Sequence, residues 1–137
     1  MILYQNALIV LDYNPSTDIL SVEWLNIQPY NLPEIRHTLE MLVESIRNYD
    51  VKKLLIDGSK TTVSPELDEA EYRNIVFKFV SDISKTRLQK SARITTPDQV
   101  REAKSKQLSA EAIKNTHLTI QSQDFATKSE ALEWLMA

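Results

Sequence analysis

The sequence predicts an α/β fold: one domain with a mixed five-stranded sheet and about four helices. A short uninterrupted apolar run, Leu54 to Ile56, is typical of a central strand that is buried on both faces. Amphipathic helical patterns precede and follow this run, and two β-rich segments begin the chain. Strands that alternate with helices indicate an α/β domain, and a length of 137 residues suits a single domain spanning 1–137.

The N-terminal segment predicts an antiparallel hairpin. Residues 7–13 and 18–25 are rich in β-branched, aromatic and other apolar side chains, and the turn formers of residues 14–17 separate them. Residues 1–11 are mildly apolar but lack a basic start, so we interpret them as strand rather than signal peptide or membrane span. A cytoplasmic protein without membrane insertion is therefore expected.

The first long helix has a readable start and one apolar stripe. Asn31 and Glu34 form a capping pair around Pro33, which suits the first turn because it has no N–H to leave unpaired. This helix is predicted to end near Asp50. The next strand, at residues 51–56, is predicted to be parallel to a hairpin strand because crossover connections are right-handed. The stripe of the helix comprises Leu32, Ile35, Leu39, Leu42, Val43, Ile46 and Tyr49.

The second helix is predicted to begin at Ser64 and Pro65 and to end near Lys85. Phe77 falls on roughly the opposite side of this helix from its stripe, so we expect an exposed ring that needs a neighbouring subunit or another element as partner. Tyr72 and Phe77 are therefore candidate interface residues, and a homodimer is one expectation. The stripe comprises Tyr72, Ile75, Val76, Phe79, Val80 and Ile83.

The second half of the chain predicts two more strands and the remaining helices. Residues 88–95 alternate weakly, and residues 117–121 place Leu118 and Ile120 inward. The apolar residues between these strands do not fall on one stripe, which predicts two short helices with a break near residues 105–109. A capping box at residues 127–130 opens the last helix.

The composition excludes several classes of function. The chain has no cysteine, which rules out disulfides and thiolate chemistry, and its single glycine cannot supply a phosphate-binding loop or a nucleophile elbow. His37 and His117 have no ligand-spaced carboxylate close by, so no metal site and no cofactor is predicted. The net charge is −3, and the basic stretch at residues 85–106 lacks interleaved aromatic residues, so nucleic-acid binding is not expected.

The turn that follows the central strand is the natural place for a site, because ligands of α/β sheets bind outside the carboxyl ends of the strands. Asp57, Gly58 and Ser59 stand there. A phosphoacceptor site of the receiver type would need a second acidic residue beside Asp12 and a lysine after the last strand, and the sequence supplies neither. We therefore interpret Asp57 as a residue that caps its own turn.

Three segments carry a family resemblance. They are residues 20–24 (Leu-Ser-Val-Glu-Trp), 51–57 (Val-Lys-Lys-Leu-Leu-Ile-Asp) and 125–135 (Phe-Ala-Thr-Lys-Ser-Glu-Ala-Leu-Glu-Trp-Leu). In this order the chain resembles the bacterial SpoIIAA-like proteins, also described as STAS/Sec14-like. The resemblance covers nearly the whole chain and implies a small STAS-like domain that has no catalytic activity and binds partner proteins.

The resemblance also implies where such a protein is regulated. In the anti-sigma-factor antagonists a serine after the central strand is phosphorylated to break partner binding, and Ser59 and Ser64 lie nearest to that place. The sequence departs from the antagonist pattern: where those proteins carry Asp-Ser-Ser-Gly-Leu, residues 63–67 read Val-Ser-Pro-Glu-Leu. Sec14-like relatives imply instead an apolar ligand held between the sheet and a helix.

Three hypotheses follow for function. The first is a non-catalytic regulatory or protein-interaction module, with Asp57, Gly58, Ser59 and Ser64 as its partner or ligand loop. The second is a carrier of a small lipid-like ligand, which would require an apolar cavity between the second helix and the sheet. The third, an enzyme, would require polar groups that converge around Asp57. The sequence favours the first.

Overall fold

The computed structural model describes residues 1–6, 9–24, 32–59, 68–95, 99–114 and 120–137, without the side chains at 99–101, 105 and 113. Within these ranges the chain forms a sheet of six strands and four helices. The strands are β1 (Ile2–Gln5), β2 (Ile9–Asn14), β3 (Ile19–Trp24), β4 (Lys53–Asp57), β5 (Lys90–Ile94) and β6 (Gln121–Phe125). The helices are α1 (Leu32–Asn48), α2 (Glu69–Ile83), α3 (Gln99–Lys114) and α4 (Lys128–Met136).

The strands lie in the sheet in chain order. β1, β2 and β3 are antiparallel neighbours, whereas β3 to β6 are parallel to one another. The hairpin predicted from the sequence is β2 and β3, and the predicted parallel strand is β4, paired with β3 through Leu20 opposite Leu54. The sheet is therefore mixed, as expected.

Alternate residues of β4 face two separate cores. Leu54 packs with α1 and α2 on one face of the sheet, and Leu55 packs with α4 on the other. Both side chains are fully buried, which explains the uninterrupted apolar run in the sequence. The larger core contains the α1 stripe, whose members are all buried except Tyr49, a half-exposed residue just past the end of the helix.

β1 is a correction to the predicted five-stranded sheet. The side-chain oxygen of Asn6 accepts a hydrogen bond from the Ile9 backbone amide at 3.0 Å. The backbone amide of Asn6 donates to the Ile9 carbonyl. These two bonds join the residue after β1 to the first residue of β2, and Ile2 pairs opposite Asp12. A four-residue edge strand carries too short a pattern to be distinguished from the strand after it.

The region between β5 and α4 also differs from the prediction. α3 is one continuous helix through residues 105–109, where a break was expected. β6 begins at Gln121, where the predicted strand ended, and residues 115–119 lie outside the described part of the chain. The apolar pattern misplaced this strand because β6 is an edge strand with mostly exposed side chains, while the buried Ile120 only precedes it.

Two helix starts show why these sequences are helical. Asp68 caps α2, since its carboxylate accepts from the amides of Ala70 at 3.1 Å and Glu71 at 3.2 Å. The predicted start at Ser64 and Pro65 lies outside the described residues. Thr127 caps α4 as predicted: its hydroxyl accepts from the Glu130 amide and donates to the Glu130 carboxylate.

A polar cluster ties the elements together at the amino end of β4. The Tyr13 hydroxyl donates to Asp18 Oδ1 at 2.7 Å, and Lys52 Nζ lies 3.4 Å from Asp18 Oδ2. Lys52 also donates to the Asp50 carbonyl at 3.1 Å. Asp18 and Asp50 have positive φ values, 58° and 52°, which aspartate tolerates better than most residues. The cluster joins the hairpin turn to the turn after α1.

The hydrogen bond to Asp18, together with burial and the charges of Asp18 and Asp50, raises the pKa of Tyr13 to about 12. In the unfolded chain the pKa of a tyrosine is about 10. The Tyr13 hydrogen bond therefore stabilises the fold fully below a pH of about 10, and this contribution is lost as the pH rises to about 12. Between these two pH values the free energy of unfolding should fall for the native chain and less for Tyr13→Phe. We expect the difference between the two falls to be on the order of 2 kcal/mol.

Urea denaturation at several alkaline pH values measures this difference. Tyrosinate absorbance in the ultraviolet gives an independent reading, because Tyr13→Phe should remove a phenol whose pKa is about 12. Parallel stability curves for the two proteins would contradict the role assigned to the Tyr13 hydrogen bond.

Candidate functional site

The candidate site is the edge of the sheet where the parallel strands end. Asp57, Gly58 and Ser59 follow β4 there, and Thr95 follows β5. Asp57 pairs in register with Glu23 of β3 and Ile94 of β5, so the turn stands at the middle of this edge. The burial of β4 on both faces gives the turn a rigid support.

The side chain of Asp57 is engaged by its own turn. Its Oδ1 accepts from the Ser59 amide at 3.0 Å and from the Ser59 hydroxyl at 2.6 Å. The prediction that Asp57 caps its own turn is confirmed. Gly58 does not have a positive φ, so the one glycine of the chain is not needed here for a left-handed conformation.

This geometry determines what a modification of Ser59 would do. A phosphoryl group on its hydroxyl would place added negative charge beside the Asp57 carboxylate, and the two would repel. Phosphorylation at Ser59 would therefore open the turn rather than add a contact to it. Ser64, the other predicted serine of this loop, lies outside the described residues.

A second polar group lies on the other face of the sheet. Arg93 of β5 pairs with Asp124 of β6 in register and donates to its carboxylate from Nε at 3.3 Å and from a terminal nitrogen at 3.1 Å. The guanidinium also donates twice to Glu102 of α3, once at 3.1 Å. Arg93 therefore links its own strand, β5, to the neighbouring strand β6 and to α3.

Burial and charge act in opposite directions on this group. The side chains of Arg93 and Glu102 are only 20% and 13% exposed. Burial alone lowers the pKa of Arg93, but the hydrogen bonds to Glu102 and Asp124 outweigh burial and raise it above its ordinary value. Arg93 therefore keeps its positive charge, near the carboxyl end of β5. Sequence analysis missed it as a site residue because its partners are 9 and 31 positions away.

Glu23 of β3 lies on the same face of the sheet as Asp57, but the Arg93 cluster does not. In the register of β4 and β5, Asp57 shares the α4 face with Ile94, whereas Arg93 shares the opposite face with Ile56. Asp12 lies beyond β3 and its carboxylate is bound by the N-terminal ammonium at 2.9 Å. Among the described residues, no three histidine or acidic side chains are grouped so that they could hold a metal ion.

Phe77 is not the exposed aromatic that was expected. Its ring is half-buried, and the guanidinium of Arg73 lies 4.8 Å from the ring centroid. Arg73 also pairs with Glu111 of α3 at 2.5 Å, so this side of α2 faces α3. Tyr72 packs against the main core. The interface role of Tyr72 and Phe77 stays a prediction, but another element already covers part of the surface assigned to it.

The surface grooves of the described part of the chain include the following two. One, of about 500 Å³, lies between the β2–β3 hairpin and α4 and is lined by Tyr13, Ile19, Lys128 and Leu132 among others. The other, of about 320 Å³, includes His37, Glu44 and Asp82 on α1 and α2. Neither lies between α2 and the sheet, where the apolar-ligand hypothesis requires its cavity. The helices described here include none long and apolar enough to cross a membrane.

No family model matches the sequence, and no curated protein matches it either. Several solved structures match it, among them two whose matches cover nearly its whole length. An uncharacterised protein of the DUF3478 family with a SpoIIAA-like fold, from Shewanella loihica PV-4, is 17% identical, with a TM-score of 0.57, and the match covers 97% of this chain and 98% of that one. The anti-sigma factor antagonist SpoIIAA in its unphosphorylated form is 9% identical, with a TM-score of 0.51 and coverage of 93% and 96%.

At these identities the likeness shows the fold. The chain has a SpoIIAA-like α/β fold with a mixed sheet, and this part of the sequence prediction is confirmed. The number of strands in the described sheet is six rather than the predicted five.

The turn after β4 can be tested by comparing two substitutions. Asp57→Ala removes the acceptor of both hydrogen bonds and should lower the free energy of unfolding by about 1.5 kcal/mol. Ser59→Ala keeps the bond from the backbone amide and should cost about half as much. Urea denaturation at neutral pH measures both. Equal losses for the two variants would contradict the double role of Asp57.

The importance of Arg93 can be tested against a matched arginine. Arg93→Met leaves the Glu102 and Asp124 carboxylates without their shared cation and should lower the free energy of unfolding by about 2 kcal/mol or more. Arg87 is highly exposed and, within the described part of the chain, pairs with Asp50 at 3.5 Å, so Arg87→Met should cost less than about 0.5 kcal/mol. Similar losses in urea denaturation would show that the Arg93 cluster contributes no more than a surface ion pair.

Proposed function

We propose that this protein is a non-catalytic, SpoIIAA-like regulatory module that acts by binding another protein. The observation that carries the proposal is its likeness in fold to the anti-sigma factor antagonist over nearly the whole of both chains. Because one fold hosts many functions, the proposal also needs support from the local geometry.

The local geometry supports a binding surface at the carboxyl edge of the sheet. Asp57 and Ser59 satisfy each other, which gives the turn a defined shape rather than a free reactive group. The turn is held by a strand that is buried on both sides, and it lies at the edge where proteins of this architecture bind ligands. We assign partner binding to Asp57, Gly58 and Ser59, and include Ser64, which follows five positions later in the sequence.

The same geometry offers a means of control. Since the Ser59 hydroxyl is bound to the Asp57 carboxylate, any modification that adds negative charge to Ser59 changes the shape of the surface. This is a role for the serine in regulation, which accords with the resemblance noted in the sequence. The cytoplasmic location and the homodimer expected from the sequence remain predictions.

The two other hypotheses have less support. The described grooves do not lie where a Sec14-like ligand would bind. For an enzyme, the described polar groups nearest the carboxyl edge are divided between the two faces of the sheet, with Asp57 and Glu23 on one and the Arg93 cluster on the other. A protein partner is therefore the hypothesis that the arrangement favours.

Site-specific photocrosslinking can test the proposal. A benzophenone amino acid at Thr95 reports contacts at the carboxyl edge and leaves the Asp57 turn intact, while the same probe at the exposed Glu133 of α4 serves as the control. We expect a protein adduct from position 95 in an extract of the source cells, and little from position 133. The partner is identified by mass spectrometry.

The second arm repeats the position-95 experiment with Asp57→Ala. If the turn forms part of the binding surface, the adduct should be lost or strongly reduced. An adduct that persists unchanged, or that forms equally well from position 133, would argue against partner binding at this edge.

A further inference from the structure

α3 is attached to the rest of the domain by ion pairs on both of its flanks. Glu102 binds Arg93 of β5 on one flank. On the other, Glu111 pairs with Arg73 of α2 at 2.5 Å, and Lys104 lies 3.2 Å from Glu69 at the start of α2. Glu102 and Glu111 are nine residues apart, so they project to opposite sides of the helix.

Among the α3 side chains that the structure describes, apolar burial is limited. Of the α3 side chains that the structure describes, Ala112 is the one that is buried, and Leu108 is half-buried. The apolar residues of the segment also do not form one stripe along the sequence. By contrast, the much shorter α4 buries both Ala131 and Leu135 completely, and its Trp134 ring lies 5.6 Å from Phe125.

The surface of the sheet near α3 is also polar. Ser91 and Arg93 of β5, with Ser122 and Asp124 of β6, share the face on the α1 and α2 side. None of these four side chains is apolar, so this part of the sheet gives α3 no hydrophobic surface to cover. Among the described contacts, the pair between Glu102 and Arg93 joins the helix to the sheet.

Ion pairs and apolar contacts respond differently to salt. Attraction between exposed charges is screened as ionic strength rises, and such pairs contribute little even at low salt. Apolar burial is not screened. Lys104 and Glu69 are largely exposed, and the Arg73 side chain is half-exposed, so two of the three described attachments of α3 are open to screening.

We infer that α3 is a detachable cover that opens in response to ionic strength while the rest of the domain stays folded. Opening releases Glu111 from Arg73 and Glu102 from Arg93, and it uncovers the side of α2 that carries Phe77. Arg93 keeps its bonds to Asp124, so the pairing of β5 with β6 survives the opening. This inference concerns the chain alone and does not depend on the partner proposed above.

The absence of cysteine from the sequence makes a direct test possible. Ala112→Cys places one thiol on the buried side of α3, where Ala112 is 1% exposed, and Ala131→Cys places one in α4, where Ala131 is 0% exposed. The rate of thiol labelling then reports how often each helix opens. Rates are normalised to a small model thiol at the same salt concentration.

We expect labelling of the Ala112→Cys protein to rise about three- to tenfold between about 20 mM and about 500 mM sodium chloride, while the Ala131→Cys rate stays within about twofold. Equal salt responses at both positions would mean that the whole domain opens, and a flat response at position 112 would mean that charge does not hold α3. Either result overturns the inference.

Charge variants in the Ala112→Cys background show which pairs are responsible. Glu102→Gln and Glu111→Gln should each raise the labelling rate at low salt and reduce its dependence on salt. Lys106→Gln is the matched control, because Lys106 is exposed on α3 and has no ion pair within the described part of the chain. A Lys106→Gln protein that behaves like the glutamate variants would contradict the assignment.

Hydrogen exchange of the unsubstituted protein gives a second reading that needs no cysteine. Amides of α3 should lose protection with salt, whereas amides of α4 and β4 should keep theirs. This measurement decides the question if a cysteine at position 112 disturbs the packing. Protection of α3 that does not change with salt would overturn the inference.

Discussion

The fold depends on the burial of β4 on both of its faces. Leu54 and Leu55 are adjacent in the sequence, but they point to opposite sides of the sheet and enter two different cores. Each core needs its own helical layer, so α1 and α2 must lie on one side and α4 on the other. The turn at Asp57 inherits its position from this arrangement, because it is the point where a strand held from both sides reaches solvent.

Ion pairs connect the elements where the described surfaces carry few apolar side chains. The hairpin, α1 and β4 have extensive apolar contacts, and the Tyr13, Asp18 and Lys52 cluster only closes their amino end. Toward β5 and β6 the face shared with Arg93 becomes polar, and α3 is attached there through glutamate and arginine. Stability is therefore distributed unevenly: the centre of the sheet rests on packing that salt does not affect, and the α3 side rests partly on interactions that salt weakens.

This distribution is relevant to function. The regulatory role proposed above would require a surface of defined shape and a means of changing it. The Asp57 turn supplies the first through its own hydrogen bonds, and Ser59 lies where a charge would disrupt them. The opposite face carries a second element that can change, since α3 covers the side of α2 that bears Phe77. The two places share β4 and β5 as their support but belong to different faces of the sheet.

The sequence by itself determined the elements whose pattern reflects burial. The α1 stripe, the β2–β3 hairpin, the apolar run of β4 and the cap of α4 all have local signals, and so did the self-capping of Asp57. β1 and β6 were missed or misplaced because edge strands need not alternate when little of them is buried. Only the tertiary structure decided the continuity of α3, the partial cover over Phe77 and the cluster around Arg93. The ion pairs in this region join residues that are separated along the chain, and a contact between charges produces no periodic pattern in the sequence.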